Sequence, residues 1–205
     1  MDLLSNYVFN YVYANVFCTI SVSILLYKQI TTFNETIVEK SLIRILIIQL
    51  VYFLSCAILM LVTAGILPQT ILTVYLSVIF NFTLFCLCAF NVFVYLELYQ
   101  NAPEINNQFR RNLLAIPCLL NLALIFISPF TGAYFSVDSN AVLIMTPLSK
   151  LMIVINCLYP SAALISFQYN RRKQSAVEKI ATMKITVGFP LFFIICGPYL
   201  LLGKF

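Results

Sequence analysis

Histidine is absent from this 205-residue sequence, and with it the commonest general base and metal ligand. Charge is scarce as well: Asp, Glu, Lys and Arg make up 9% of the chain, against 62% hydrophobic residues. A soluble domain of this length cannot clothe its exterior with so few charges. No glycine-rich phosphate loop, no Ser/His/Asp set and no carboxylate pair is present, so the sequence implies neither an enzyme nor a cofactor or metal site. No acid falls in the middle of an apolar run. The nearest is Glu97, in "VYLELYQ". A proton- or sodium-coupled transporter is expected to place an Asp or Glu at mid-membrane, or to pair interrupted helices in two halves. The N-terminal "MDLLSNYVFN" lacks the basic region and cleavage site of a removable signal peptide.

What is present is oil in membrane-sized lengths. Several apolar runs reach the ~17–25 residues that cross a hydrocarbon core of about 30 Å as helix. Six spans are expected, at about 7–27, 42–66, 71–95, 113–128, 148–167 and 185–202. The fold class is therefore an all-α membrane protein: a bundle of about six transmembrane helices, a single transmembrane domain over residues 1–205. "LPQT" alone separates the second and third spans, which makes them a tight helical hairpin turned at Pro68. Pro117, Pro160, Pro190 and Pro198 fall inside spans and predict kinks, since neighbouring groups can satisfy the carbonyls they free.

Orientation follows from the basic residues. Lys28, Lys40 and Arg44 flank the first connection, Arg110 and Arg111 the third, and Arg171, Arg172, Lys173, Lys179 and Lys184 the fifth. These are ten of the twelve; only Lys150 and Lys204 fall on the other side. The three basic loops are cytoplasmic and the N-terminus extracytoplasmic, in a multi-pass protein of the cell membrane. With six crossings the C-terminus lies outside too. The net charge of +5 is no nucleic-acid footprint, because the basic residues are scattered among short loops.

Polar residues inside spans are few and mild: Gln49, Ser55, Asn81, Asn91, Asn121 and Asn156. Each suits either an interhelical hydrogen bond or a ligand-facing position, and Asn81 and Asn156 are candidate ligand contacts. The seven cysteines (18, 56, 86, 88, 118, 157 and 196) all lie in apolar runs, as small buried hydrophobes rather than a disulfide framework or a metal site. Two sequons, at Asn34 and Asn81, fall in a cytoplasmic loop and inside a span, out of reach of glycosylation.

One stretch faces water: "SPFTGAYFSVDSNAVLIMTP", residues 128–147. Residues 133–137 alternate small or polar with aromatic or branched side chains, "DSN" at 138–140 is turn chemistry, and 141–145 is a second β-prone run. This predicts a short extracytoplasmic β-hairpin, with Tyr134 or Phe135 resting on the outer helix ends. A lone hairpin is marginal in water and needs such a surface. It is either a cap or the lid of a ligand site, with Tyr134, Phe135, Asp138 and Asn140 as candidate contacts.

At this hairpin the chain resembles the N-terminal multi-span sensory regions of Firmicute signalling proteins, most often diguanylate cyclases with a GGDEF output domain. The residues that carry the resemblance are Ser128 to Gly132, Phe135, Val137, Asp138, Asn140, Pro147 and Leu148, with looser support from Tyr95, Glu97 and the basic run Arg171 to Lys173. Where that family places an aromatic, a basic residue and a glycine before the proline, this chain has Leu143, Met145 and Thr146. The resemblance implies an input module whose helix packing is biased by a ligand or by the membrane, relayed to the cytoplasm. The family's output domain would follow the last helix, whereas this sequence runs to "LLLGKF"; the expectation is an input module truncated before its cyclase, without catalytic activity. The expected partners are the lipid bilayer and either a second copy of the chain or a cytoplasmic signalling protein, with no nucleic acid. The alternative is a small transporter or permease. A serpentine receptor fits less well, because no outer loop carries the cysteines such receptors pair.

Overall fold

In lipid the backbone has no water to bond, so apolar runs of this length close their hydrogen bonds internally as helix. The computed structural model describes residues 2–33, 36–100 and 108–170, and they form five helices and one hairpin. In chain order these are α1 (Asp2–Thr31), α2 (Ile37–Thr63), α3 (Ile71–Tyr99), α4 (Gln108–Thr131), β1 (Phe135–Val137), β2 (Leu143–Met145) and α5 (Ser149–Asn170). Four helices, over Val8–Thr31, Ile37–Thr63, Ile71–Tyr99 and Arg111–Thr131, are long and apolar enough to cross a membrane. Each of the first five expected spans coincides with a helix; the sixth, at 185–202, lies outside the described residues, as do Cys196 and the basic run that begins at Arg171.

Boundaries differ in instructive ways. α2 does not reach Ile66 but stops at Thr63, because Gly65 adopts a left-handed φ of 71° and the chain folds back. The Gly65 N–H bonds to the Val62 carbonyl and the Ile66 N–H to the Leu61 carbonyl, the paired closure of a Schellman motif. Five residues later Thr70 opens α3 with a capping box: its hydroxyl accepts from the Thr73 N–H while the Thr73 side chain accepts from the Thr70 N–H. Pro68 is thus one part of a turn whose ends are set by Gly65 and Thr70. α4 is longer than its apolar core of 113–128, since a helix continues into polar residues once its ladder is running.

α3 is the centre of the molecule and packs on α2, α4, α5 and β1, while α1 lies against α2. Val74, Val78, Cys86, Ala89, Val92 and Leu96 lie along α3 at spacings of three, four and their sums, and all are fully buried. α1 is the outer helix. Its Val8, Asn15 and Val22 are buried, and Tyr13, Phe17, Ile20, Ile24 and Tyr27 are exposed on the other side. In a bilayer such an apolar face is matched by lipid tails, so packing and hydrogen bonds rather than the hydrophobic effect hold the helices together. Two aliphatic hydroxyls on α1 are satisfied by local bonds: Thr19 donates to the Asn15 carbonyl and Ser23 to the Thr19 carbonyl.

Candidate functional site

The hairpin follows α4 through Gly132, whose φ of 65° turns the chain back. β1 and β2 pair antiparallel with Phe135 opposite Met145, Ser136 opposite Ile144 and Val137 opposite Leu143. The connection is longer than the expected three residues, because Asp138 organises all of it. The Asp138 carboxylate accepts from the N–H groups of Asn140 and Val142, at 2.9 and 2.8 Å, and its own N–H donates to the Val142 carbonyl. Ala141 takes the left-handed conformation, φ 60°, that this turn demands. Asp138 therefore builds the loop, and Asn140 sits exposed at its tip.

Both Tyr134 and Phe135 are completely buried. The Phe135 ring meets Phe82 edge-on, centroids 5.7 Å apart, and lies 6.1 Å from Tyr75. Tyr75 also accepts from the Val137 N–H through its hydroxyl. Tyr134 goes deeper. Its N–H donates to the Ser128 hydroxyl at 3.0 Å, and its phenol donates to Asn121 Oδ1, on α4, at 2.6 Å. Burial, aided by the nearby Cys86 sulfur, pushes the Tyr134 phenol up to about 12. It is therefore a proton donor across the physiological range. On the far side Gln69, in the turn between α2 and α3, donates to the Ala141 carbonyl and braces the loop. The hairpin is a plug pinned at three points.

Asn81 and Asn156 are buried between helices, away from the hairpin loop. Asn81 Nδ2 reaches Ser55 Oγ at 2.9 Å and Cys56 Sγ at 3.2 Å, tying α3 to α2. Asn156 Nδ2 reaches Cys86 Sγ at 3.3 Å, tying α5 to α3. The amide oxygens of both asparagines are buried with no hydrogen-bond partner among the described residues. Of the six candidate residues, then, Tyr134 and Phe135 share one seat, Asp138 and Asn140 belong to the loop above it, and Asn81 and Asn156 clasp different helix pairs.

Sequence reasoning missed two participants, Tyr75 and Tyr159, and named Asn121 without its partner. Tyr75 holds β1 from below, Asn121 receives the hairpin tyrosine, and Tyr159 contacts the middle of α4. Its hydroxyl accepts from the Cys118 N–H at 2.9 Å and donates to the Leu114 carbonyl at 3.0 Å. The available signal was Pro117 in mid-span, which predicts a weakened helix that some polar group must repair. At the other end of α3, Glu97 is buried and its Oε2 accepts from the Ser166 hydroxyl of α5 at 3.1 Å. A separate groove of about 350 Å³ lies between α2 and α3, lined by Ser55, Ile58, Leu76, Ser77 and Phe80, with all three of its large side chains exposed. No family model, no curated protein and no solved structure matches the chain.

Proposed function

We propose that the chain is a membrane-embedded input module of the bacterial signalling type. In this reading α5 and residues 185–202 supply the fifth and sixth crossings, the hairpin faces outward and the basic loops face the cytoplasm. The observation that carries it is the Tyr134–Asn121 hydrogen bond. It joins an element outside the spans to the interior of the bundle, so whatever displaces the hairpin must also alter helix packing. Shifts in packing of this kind are how a stimulus without chemistry is relayed. The recipient is a cytoplasmic signalling protein, by resemblance one with a GGDEF output domain. The candidate ligand-contacting residues Tyr134 and Phe135 would act by being moved rather than by coordinating a solute, since both are occupied by the bundle itself.

A small permease is the second reading. It is favoured by the buried amide oxygens of Asn81 and Asn156, which have the hydrogen-bonding capacity to receive a passing solute. Photo-crosslinking decides between the two. A benzoylphenylalanine at position 111, in membranes of the native host, should capture a cytoplasmic protein with a signalling output domain. Capture of a transport ATPase, or solute uptake by proteoliposomes holding the chain alone, would show the permease instead.

A further inference from the structure

In an unbroken α-helix the Cys118 N–H would bond directly to the Leu114 carbonyl, four residues back. Here the Tyr159 hydroxyl engages both groups, taking the N–H at 2.9 Å and giving its own proton to the carbonyl at 3.0 Å. The neighbouring rung is missing. Pro117 has no N–H, so the Leu113 carbonyl lacks its helical partner. At one level of α4, then, one rung is lost to Pro117 and both groups of the next are engaged by Tyr159, and inserted side chains and prolines are the known causes of helix bends. The inserting residue is itself beside a proline: Pro160 follows Tyr159 and opens the α5 ladder at the Asn156 carbonyl. Tyr159 is held sideways by Phe90 and Phe93 of α3, each with its ring centroid 5.6 Å away.

Three positions over two turns of α4 are read by two phenols on one face. Leu114, Cys118 and Asn121 are spaced four and three apart, so they line one side of the helix. Tyr159 from α5 occupies the first two positions and Tyr134 from the hairpin the third. Asn121 also lies near α5, its Nδ2 3.5 Å from the Met152 carbonyl.

We infer that the Tyr159 hydroxyl is a removable rung, and that α4 has two arrangements. With the hydroxyl inserted, α4 is bent at 114–118 and its inner half is set at one angle. With the hydroxyl withdrawn, the Cys118 N–H closes directly on the Leu114 carbonyl and the inner half swings. The hairpin biases the choice, because Tyr134 fixes the outer half of the same helix one turn away. The inference does not depend on whether the chain is an input module or a permease, since either needs a hinge between its two faces.

The test is a distance across the inner end of the bundle, in the full chain reconstituted in lipid. Spin labels attached through p-acetylphenylalanine at positions 40 and 112 leave the native cysteines in place. Tyr159→Phe keeps the ring among Phe90 and Phe93 and removes only the hydroxyl. It should shift the 40–112 distance by ~3 Å, the swing of about 10 Å of half-helix through about 20°. Tyr134→Phe should move the same distance in the same direction by a smaller amount. An unchanged distance in Tyr159→Phe overturns the hinge, leaving the tyrosine a static repair of the Pro117 gap. A shift in Tyr159→Phe with none in Tyr134→Phe overturns the link to the hairpin. If Tyr159→Phe does not assemble, hydrogen exchange at the Cys118 amide in Tyr134→Phe serves instead: altered protection supports the coupling and unaltered protection refutes it.

Discussion

Tyr134 shows how a single hydroxyl changes the meaning of a surface loop. Its ring fills the outer end of the bundle, and its proton goes to Asn121. Tyr134→Phe keeps the ring and leaves Asn121 Oδ1 buried without its donor, which should lower stability by about 1–3 kcal/mol. Tyr134→Ala also empties the seat and should cost about 3–5 kcal/mol, as for other large buried aromatics. Thermal unfolding in mild detergent measures both. The pH dependence has a definite sign. The phenol titrates near 10 when unfolded and about 12 when folded, so its contribution is complete below pH 10 and is lost as pH rises from 10 to 12. Comparing wild type with Tyr134→Phe through that window should show the difference between them shrinking. The sequence reading reached Tyr134 and Phe135 as the residues that rest on the helices, because an amphipathic hairpin needs a surface. It did not reach Asn121 as the acceptor. Which asparagine meets which tyrosine is decided by the crossing of α3, α4 and α5, and no local pattern encodes that.

The helices and the hairpin differ in how far local chemistry specifies them. Oily runs of the right length announced the helices, and "DSN" between two β-prone runs announced the hairpin. Their ends were less legible. Gly65 and Thr70 set the turn between α2 and α3 through backbone geometry and capping, whereas the sequence reading weighted Pro68. Gly65→Ala tests this: the space would admit a methyl group, whose nearest neighbour is Gln69 Oε1 at 3.5 Å, but the φ of 71° would not. The left-handed conformation should cost the variant about 1 kcal/mol. Ala141 is the converse case, a non-glycine residue at φ 60°. Ala141→Gly should be neutral or stabilising by up to about 1 kcal/mol, since relief of the left-handed penalty exceeds the entropy that glycine loses. Asp138→Ala should do the opposite, because two loop N–H groups lose their acceptor. Hydrogen exchange at Asn140 and Val142 would report that loosening directly.

At the scale of the molecule, α3 carries the packing and the hairpin closes one end. Four described helices are suited to a bilayer, and their exposed faces are as apolar as a lipid environment permits. Several polar groups within meet across interfaces, asparagine Nδ2 to cysteine and tyrosine hydroxyl to asparagine, which binds helices that the hydrophobic effect does not. The proposed role rests on one arrangement of this body in the membrane: hairpin outward, basic loops inward. Single-cysteine labelling tests that arrangement most directly. Ser139→Cys places a thiol at the exposed hairpin tip and Arg111→Cys places one at the exposed start of α4. The native cysteines among the described residues lie within helices, and the unsubstituted chain serves as the blank. In intact cells a membrane-impermeant maleimide should modify the cysteine at 139, and the one at 111 only after permeabilisation. Modification at 111 in intact cells, with 139 protected, would contradict the orientation and the input role built upon it.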